Sequence, residues 1–295
     1  MVRYELNMDF TEIEANREER RSSCALVWKV FRFLQLLCEN NNKEMKEYIQ
    51  NQSDEEGRVK YTSINFIEEA NKTLWEVMDI LKGNLKEIRS FSDNMPKDDQ
   101  ERLFYQSFKA EVEENLCIIP LLIVEFLIEV CQIPSEKNQV YLCRTNFFET
   151  VRRLEECIIE LDDGKLLFGQ ERFSDSITIR ENGVEVPFFF AIEKKIIVLI
   201  RSLLEPNDPF IKEILQKNFT NQAFRFLLVE AFHYGGIIDT DKLAKVLWKF
   251  EVSAELLNII SLLVIKKSVG KDLSFLRENY SDDNCFITNE MLEML

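Results

Sequence analysis

The chain has 295 residues, of which 46% are apolar, so it can build a substantial core and is not disordered throughout. Its 52 acidic and 37 basic residues give a formal net charge of -15, which argues against nucleic acid as a partner and against binding to anionic membranes through basic patches. Only 8 glycines and 6 prolines are present, too few for the many tight turns of an all-β fold.

Helical spacing begins close to the N-terminus. Residues 1–25 are charged and are predicted to form a tail or a leading helix. From Leu26 to Cys38 the apolar residues recur three and four positions apart, which predicts an amphipathic helix. Asparagines follow at positions 40–42 and favour a break, after which a helical pattern resumes over 43–50.

A longer helix is predicted over residues 63–81, with Ser63 as its N-terminal cap. The polar stretch 82–100 then indicates the end of this helix and a connecting loop.

The next helical block starts near Glu101. Pro120 either kinks this block or begins a new helix that runs to Cys131. Pro134 should end that helix, and residues 135–139 are predicted to form a loop before a further helix over 146–161.

Residues 173–190 show a different period. Apolar and polar residues alternate on both sides of Asn182-Gly183, and an Asn-Gly pair between alternating stretches is a strong β-hairpin signal. Pro187 should lie at the edge or the end of a strand, because proline cannot donate a ladder hydrogen bond. The sequence therefore predicts a small hairpin inserted between helices.

Helical patterns then return at 192–204, 210–217, 222–232 and 241–264. Helices of this length joined by short loops predict an all-α fold, an armadillo-like α-solenoid with one inserted hairpin. No clean sequence repeat accompanies them. The predicted organisation is a tail or leading helix at 1–25, a helical domain at 26–161, a loop with the hairpin at 162–191, helical repeats at 192–280 and a tail at 281–295.

Signatures of catalysis are missing from the sequence. There is no glycine-rich phosphate loop, no Gly-x-Ser-x-Gly elbow and no kinase signature, so the chain is not expected to be an enzyme. A single histidine and the lack of a Cys-x-x-Cys pair argue against structural zinc. The seven cysteines indicate a reduced, cytoplasmic protein, and no stretch of about 20 apolar residues predicts a membrane span.

Two carboxylates stand out because of where they lie. Glu39 and Glu129 each come at or near the end of an apolar helix, beside a cysteine and a polar amide. Two such helix ends could converge on a hard cation, which prefers oxygen ligands. Acidic residues near helix ends are also commonly just solvated, and both interpretations stay open at this point.

The same two segments carry a family resemblance. Residues 31–52 (FRFLQLLCENNNKEMKEYIQNQ) and 126–139 (FLIEVCQIPSEKNQ) resemble the receptor-homology-associated domain of the inositol-trisphosphate and ryanodine receptor family, and 193–205 resembles a following helix. Members of that family are large tetrameric calcium-release channels of the endoplasmic reticulum. The resemblance implies a part of their cytoplasmic helical solenoid, which couples ligand sensing to the pore.

The resemblance also implies a calcium site. Glu39 and Glu129 match the family's two glutamate ligands of activating calcium, and Gln132 matches a glutamine that supports the site. Family members commonly carry histidine at the position of Asn41, and they complete the site from a part beyond the pore, which this sequence lacks. Calcium binding by the two carboxylates alone should therefore be weak, on the order of 10⁻⁴–10⁻³ M or worse.

Two functions remain open from the sequence. The first is a regulatory scaffold that couples calcium or partner binding to assembly, at the cytosolic face of the endoplasmic reticulum or on a channel. The second is a purely structural interaction scaffold, for example in a cytoskeletal or ciliary assembly, that has lost calcium binding. Both imply protein partners or self-assembly. The sequence shows no ligand-binding β-trefoil, so binding of inositol phosphates is not implied.

Overall fold

The computed structural model describes residues 10–39, 42–53, 56, 58–93, 99–132, 135–162, 172–181, 183–206 and 208–218. Within these residues the fold is all-α with one two-stranded antiparallel hairpin, which confirms the predicted fold class. The helices are α1 (Phe10–Cys38), α2 (Lys43–Gln50), α3 (Phe66–Asp93), α4 (Asp99–Glu111), α5 (Ile118–Cys131), α6 (Glu136–Arg144), α7 (Phe147–Leu161), α8 (Phe188–Leu204) and α9 (Pro209–Asn218). A π-helical turn (Val112–Leu116) leads into α5, and a 3-10 turn (Phe173–Ser176) precedes the hairpin.

Helix α5 forms the centre of the core. It is apolar on almost every side, as a helix surrounded by other helices must be, and it packs against α1, α3 and α8. Phe126 of α5 is fully buried, and its ring lies 5.8 Å from that of Phe31 in α1. Helix α7 also packs against α3. The six cysteines of the described residues are free thiols, mostly within this core.

The starts of α2 and α3 are fixed by asparagine caps. Asn42 Oδ1 accepts a 3.1 Å hydrogen bond from the Met45 amide at the start of α2. Asn65 Oδ1 accepts from the amides of residues 67 and 68 and so caps α3. The prediction that Ser63 caps this helix was wrong, because its hydroxyl instead accepts a 2.9 Å bond from the Gln52 amide.

Helix α3 is longer than its polar sequence indicated. It continues through Gly83 to Asp93, so the prediction of a helix end and loop from residue 82 was wrong for 82–93. A glycine inside a helix destabilises it by only about 1 kcal/mol relative to alanine. Leu85 and Ile88, both fully buried, keep the apolar face of the helix continuous and outweigh that penalty.

Residues 136–139 are also helical, against the predicted loop. Helix α6 begins at Glu136, and the Ser135 carbonyl accepts from the amides of Asn138 and Gln139 at 3.0 and 3.1 Å. Both of these side chains are buried. Their polar character predicted a solvent-exposed loop, but they are buried because they hydrogen-bond the ends of neighbouring helices, as described below.

The predicted hairpin is present. Strands β1 (Thr178–Glu181) and β2 (Val184–Pro187) pair antiparallel, with Ile179 opposite Val186. Gly183 in the turn has φ +81°, the backbone region that an Asn-Gly turn requires. Pro187 ends β2, as expected, and α8 starts directly after it, so residues 188–190 belong to the helix and not to the hairpin.

The larger organisation of the chain stays a prediction. Helix α1 runs without interruption across the boundary predicted at residues 25 and 26. The helical patterns at 222–232 and 241–264, and with them most of the repeats predicted for 192–280, lie outside the described residues. The armadillo-like arrangement of those repeats is therefore not tested.

Candidate functional site

The fold brings Glu39 and Glu129 towards each other. Glu39 directly follows the last residue of α1, and Glu129 lies in the last turn of α5, which packs against α1. The negative charge of Glu39 is close enough to raise the pKa of Glu129, although burial is the largest cause of that rise. Gln132 caps the C-terminus of α5, and its amide donates to the Ile128 carbonyl at 2.9 Å.

A lysine that the sequence analysis did not consider lies in this site. Lys46 of α2 has a relative exposure of 0%, and its Nζ donates a 3.2 Å hydrogen bond to the Gln132 carbonyl oxygen. The buried side of α2 runs through Lys46 and Ile49, three positions apart. A lysine in phase with a buried isoleucine is the sequence signal that could have revealed it.

Burial and several neighbouring groups shift the pKa of Lys46. Burial is the largest effect and lowers the pKa of Lys46, while Glu129, Cys38, Cys131 and Glu205 act in the opposite direction. The lysine in turn acts to lower the pKa of Glu129. The Cys38 thiol is buried, which raises its pKa to about 11 although Lys46 opposes the rise. Glu129 and Glu205 are thus the carboxylates whose negative charge acts on the ammonium group.

The same place is where three helices end. We call it the three-helix junction: the C-terminal ends of α1 at Cys38, α5 at Cys131 and α8 at Leu204, with Lys46 among them. Helix C-termini carry a partial negative charge from carbonyl groups without intrahelical partners. A positive charge at such a place stabilises all the helix ends that it reaches.

Two buried amide side chains complete the junction. Asn138 Nδ2 donates to the carbonyl oxygens of Lys46 and Val130, at 2.9 and 3.3 Å. Gln139 Nε2 donates to those of Cys131 and Ser202, at 2.6 and 2.9 Å. Asn138 thus joins α2 to α5, and Gln139 joins α5 to α8. The sequence analysis missed both residues because it assigned them to a loop.

The junction contains oxygen ligands of the kind that calcium prefers, namely two carboxylates and the Gln132 carbonyl. Calcium does not fit this arrangement as it stands, because the Lys46 ammonium group already takes the Gln132 carbonyl and a second cation beside it would be repelled. Among the described residues, no group of three or more histidine, cysteine, aspartate and glutamate side chains is placed to hold a metal ion.

A second feature of the matched helices lies on the surface. Leu26, Val30 and Phe33 are spaced four and three apart on α1 and are exposed by 64%, 43% and 59%. Together they form the outer face of α1, which flanks the buried face of Phe31 and Leu34. Helix α1 thus has two apolar faces, of which only one is covered by the described part of the chain.

These features describe an all-helical domain whose chemistry lies in a polar helix junction and an apolar surface. Residues 21–154 match the family model described as "RyR and IP3R Homology associated". Residues 21–154 thus match the same domain of the inositol-trisphosphate and ryanodine receptor family that the sequence resembles. This match links it to the regulatory regions of such channels, and the matched domain is not that of an enzyme family.

Two further observations bear on the chain. No curated protein matches the sequence significantly over its length. None of the helices in the described ranges is long and apolar enough to span a membrane. The family match covers α1 from residue 21 onward, all of α2 to α6 and the first half of α7, so it includes Lys46, both carboxylates and the outer face of α1.

Proposed function

We propose that this chain is a regulatory protein-interaction module that binds a protein surface through the outer face of α1. The observation that carries the proposal is the exposed apolar stripe of Leu26, Val30 and Phe33 within the matched domain. Contiguous apolar groups on one helix face are unfavourable in water and are typical of protein contact sites. Net charge and family both suit a cytoplasmic location, on or near a release channel.

Site-specific photo-crosslinking in cells tests this proposal without knowing the partner. With p-benzoylphenylalanine in place of Phe33, the chain should crosslink to one defined protein. A second copy of the chain counts as such a protein. A Leu26→Gln change in the same chain should reduce the yield several-fold, because it removes part of the apolar face. The proposal is wrong if the photoreactive residue at position 33 forms no crosslink.

The matched control places the same photoreactive residue at Ile80 of α3. Ile80 is about as exposed as Phe33, at 56%, but the positions one turn away on α3 are Glu76 and Asn84. An isolated exposed apolar side chain is normal on a protein surface and should give no specific crosslink. Equal crosslinking from both positions would show non-specific contact only.

Calcium sensing by Glu39 and Glu129 is the second candidate function. The observation in its favour is that the negative charge of Glu39 contributes to the raised pKa of Glu129. The buried Lys46 acts against it. Calorimetric titration of the full chain with calcium, and with magnesium as the control, tests this second candidate. Heat that is selective for calcium and lost in a Glu39→Gln, Glu129→Gln variant would support calcium sensing.

A further inference from the structure

Negative charge collects at the three-helix junction, and this feature is independent of the outer face of α1. Two carboxylates, Glu39 and Glu129, lie near each other at the ends of α1 and α5, and Glu205 lies at the end of α8. Three helix C-termini add their own partial negative charge. A cation is favourable at such a place, because Glu39 and Glu129 are only partly exposed to solvent and the helix ends add to their negative charge.

Lys46 supplies that cation from within the chain. Its side chain is completely buried, and its ammonium group donates to the Gln132 carbonyl at the end of α5. The lysine's own backbone is held in place as well, because the Lys46 carbonyl accepts from buried Asn138. Position and orientation are therefore fixed by groups on α2, α5 and α6.

We propose that the Lys46 ammonium group is the built-in cation of the three-helix junction: it occupies the Gln132 carbonyl at the end of α5 and excludes a divalent cation from that place. The native chain then holds α1, α5 and α8 together without calcium. Replacing Lys46 with a neutral residue leaves the carboxylates and the Gln132 carbonyl as a set of oxygen ligands without a cation, and so opens the junction to calcium.

Thermal unfolding of the full chain tests this inference in chelator, in millimolar calcium and in millimolar magnesium. Wild type should unfold at the same temperature in all three. Lys46→Gln should unfold roughly 5–10 °C lower in chelator, because the Gln132 carbonyl at the end of α5 loses its charged hydrogen-bond donor. Calcium, but not magnesium, should then raise its midpoint by mass action. Adding Glu39→Gln and Glu129→Gln should remove that rise.

The matched control is Lys43→Gln, the same change one turn earlier on α2. Lys43 is exposed and forms a long ion pair of 4.0 Å with exposed Glu47, so its loss should leave the midpoint almost unchanged and create no response to calcium. A Lys46→Gln variant that is less stable but still indifferent to calcium would overturn the inference, since Lys46 would then be only a structural cap.

If Lys46→Gln does not fold, the inference is tested by comparing wild type with Glu129→Gln. The inference expects Glu129→Gln to unfold at a lower temperature than wild type, since the ammonium group loses a counter-charge, and expects neither protein to respond to calcium. A calcium-selective rise in the wild-type midpoint that Glu129→Gln abolishes would overturn it, because the native junction would then bind the metal beside Lys46.

Discussion

Buried polar side chains decide the local structure at several points of this chain, and Gln52 is an example outside the junction. Its side chain donates to the carbonyls of Tyr48 and Ile64 at 2.7 and 2.9 Å and accepts from the Ile64 amide at 2.6 Å. These bonds tie the end of α2 to the segment before α3. Like Lys46, Gln52 has a residue type that predicts exposure, and only its hydrogen bonds explain its burial.

Glu155 of α7 should give the protein a measurable pH dependence. Burial, with Glu156 as the second cause, raises the pKa of Glu155 from its ordinary value of 4.5 to about 7. Between these pH values the folded state binds more protons than the unfolded state, so stability falls as pH rises through that range. Glu155→Gln should remove this fall, and the thermal midpoints of variant and wild type should therefore diverge from pH 4.5 to pH 7.

The control for this prediction is Glu87→Gln, at an exposed position of α3. Its midpoint should stay parallel to that of wild type over the whole range. Parallel profiles for Glu155→Gln as well would show that the Glu155 carboxyl ionises in the folded protein as it does in the unfolded one.

At the scale of elements, helix α5 connects the core to the junction. Its apolar residues pack against α1, α3 and α8, and its last carbonyls accept from Lys46, Asn138 and Gln139. The existence of this helix and its end at Cys131 could be predicted from its run of apolar residues and from Pro134. The role of its C-terminus could not, because it depends on side chains from α2 and α6 that are far away in the sequence.

Phe126→Ala tests the central place of α5. Removing a fully buried aromatic ring from a packed core costs about 3–5 kcal/mol in the free energy of unfolding. Urea unfolding of the purified chain measures this loss. Phe33→Ala, the same change on the exposed outer face of α1, should change the free energy by less than about 0.5 kcal/mol. A similarly small effect of Phe126→Ala would mean that α5 is not the core helix.

At the scale of the whole molecule, the sequence allowed the fold class, the hairpin and the family to be predicted, because these depend on periodicity, turn residues and local motifs. It placed Glu39 and Glu129 in one site by resemblance, and the packing of α1 on α5 agrees with their proximity. The cation of that site escaped prediction. Lys46 lies in a polar stretch, Lys-Glu-Met-Lys-Glu, whose composition is typical of a solvated helix.

The molecule thus combines a match to the receptor-homology-associated domain over residues 21–154 with a buried lysine at its three-helix junction. The outer face of α1, in contrast, is the surface that we propose to contact another protein. These two features are independent, since Lys46 is fully buried while Leu26 and Phe33 are largely exposed. Loss of one should leave the other intact, which allows each to be tested in variants of the same chain.

A high-resolution crystal structure of the full chain grown in millimolar calcium would test the central claim most directly. The account predicts the Lys46 ammonium group within hydrogen-bond distance of the Gln132 carbonyl, with no metal between Glu39 and Glu129. An anomalous peak between the two carboxylates, with the lysine turned away into solvent, would contradict it and would make calcium the resident cation of the junction.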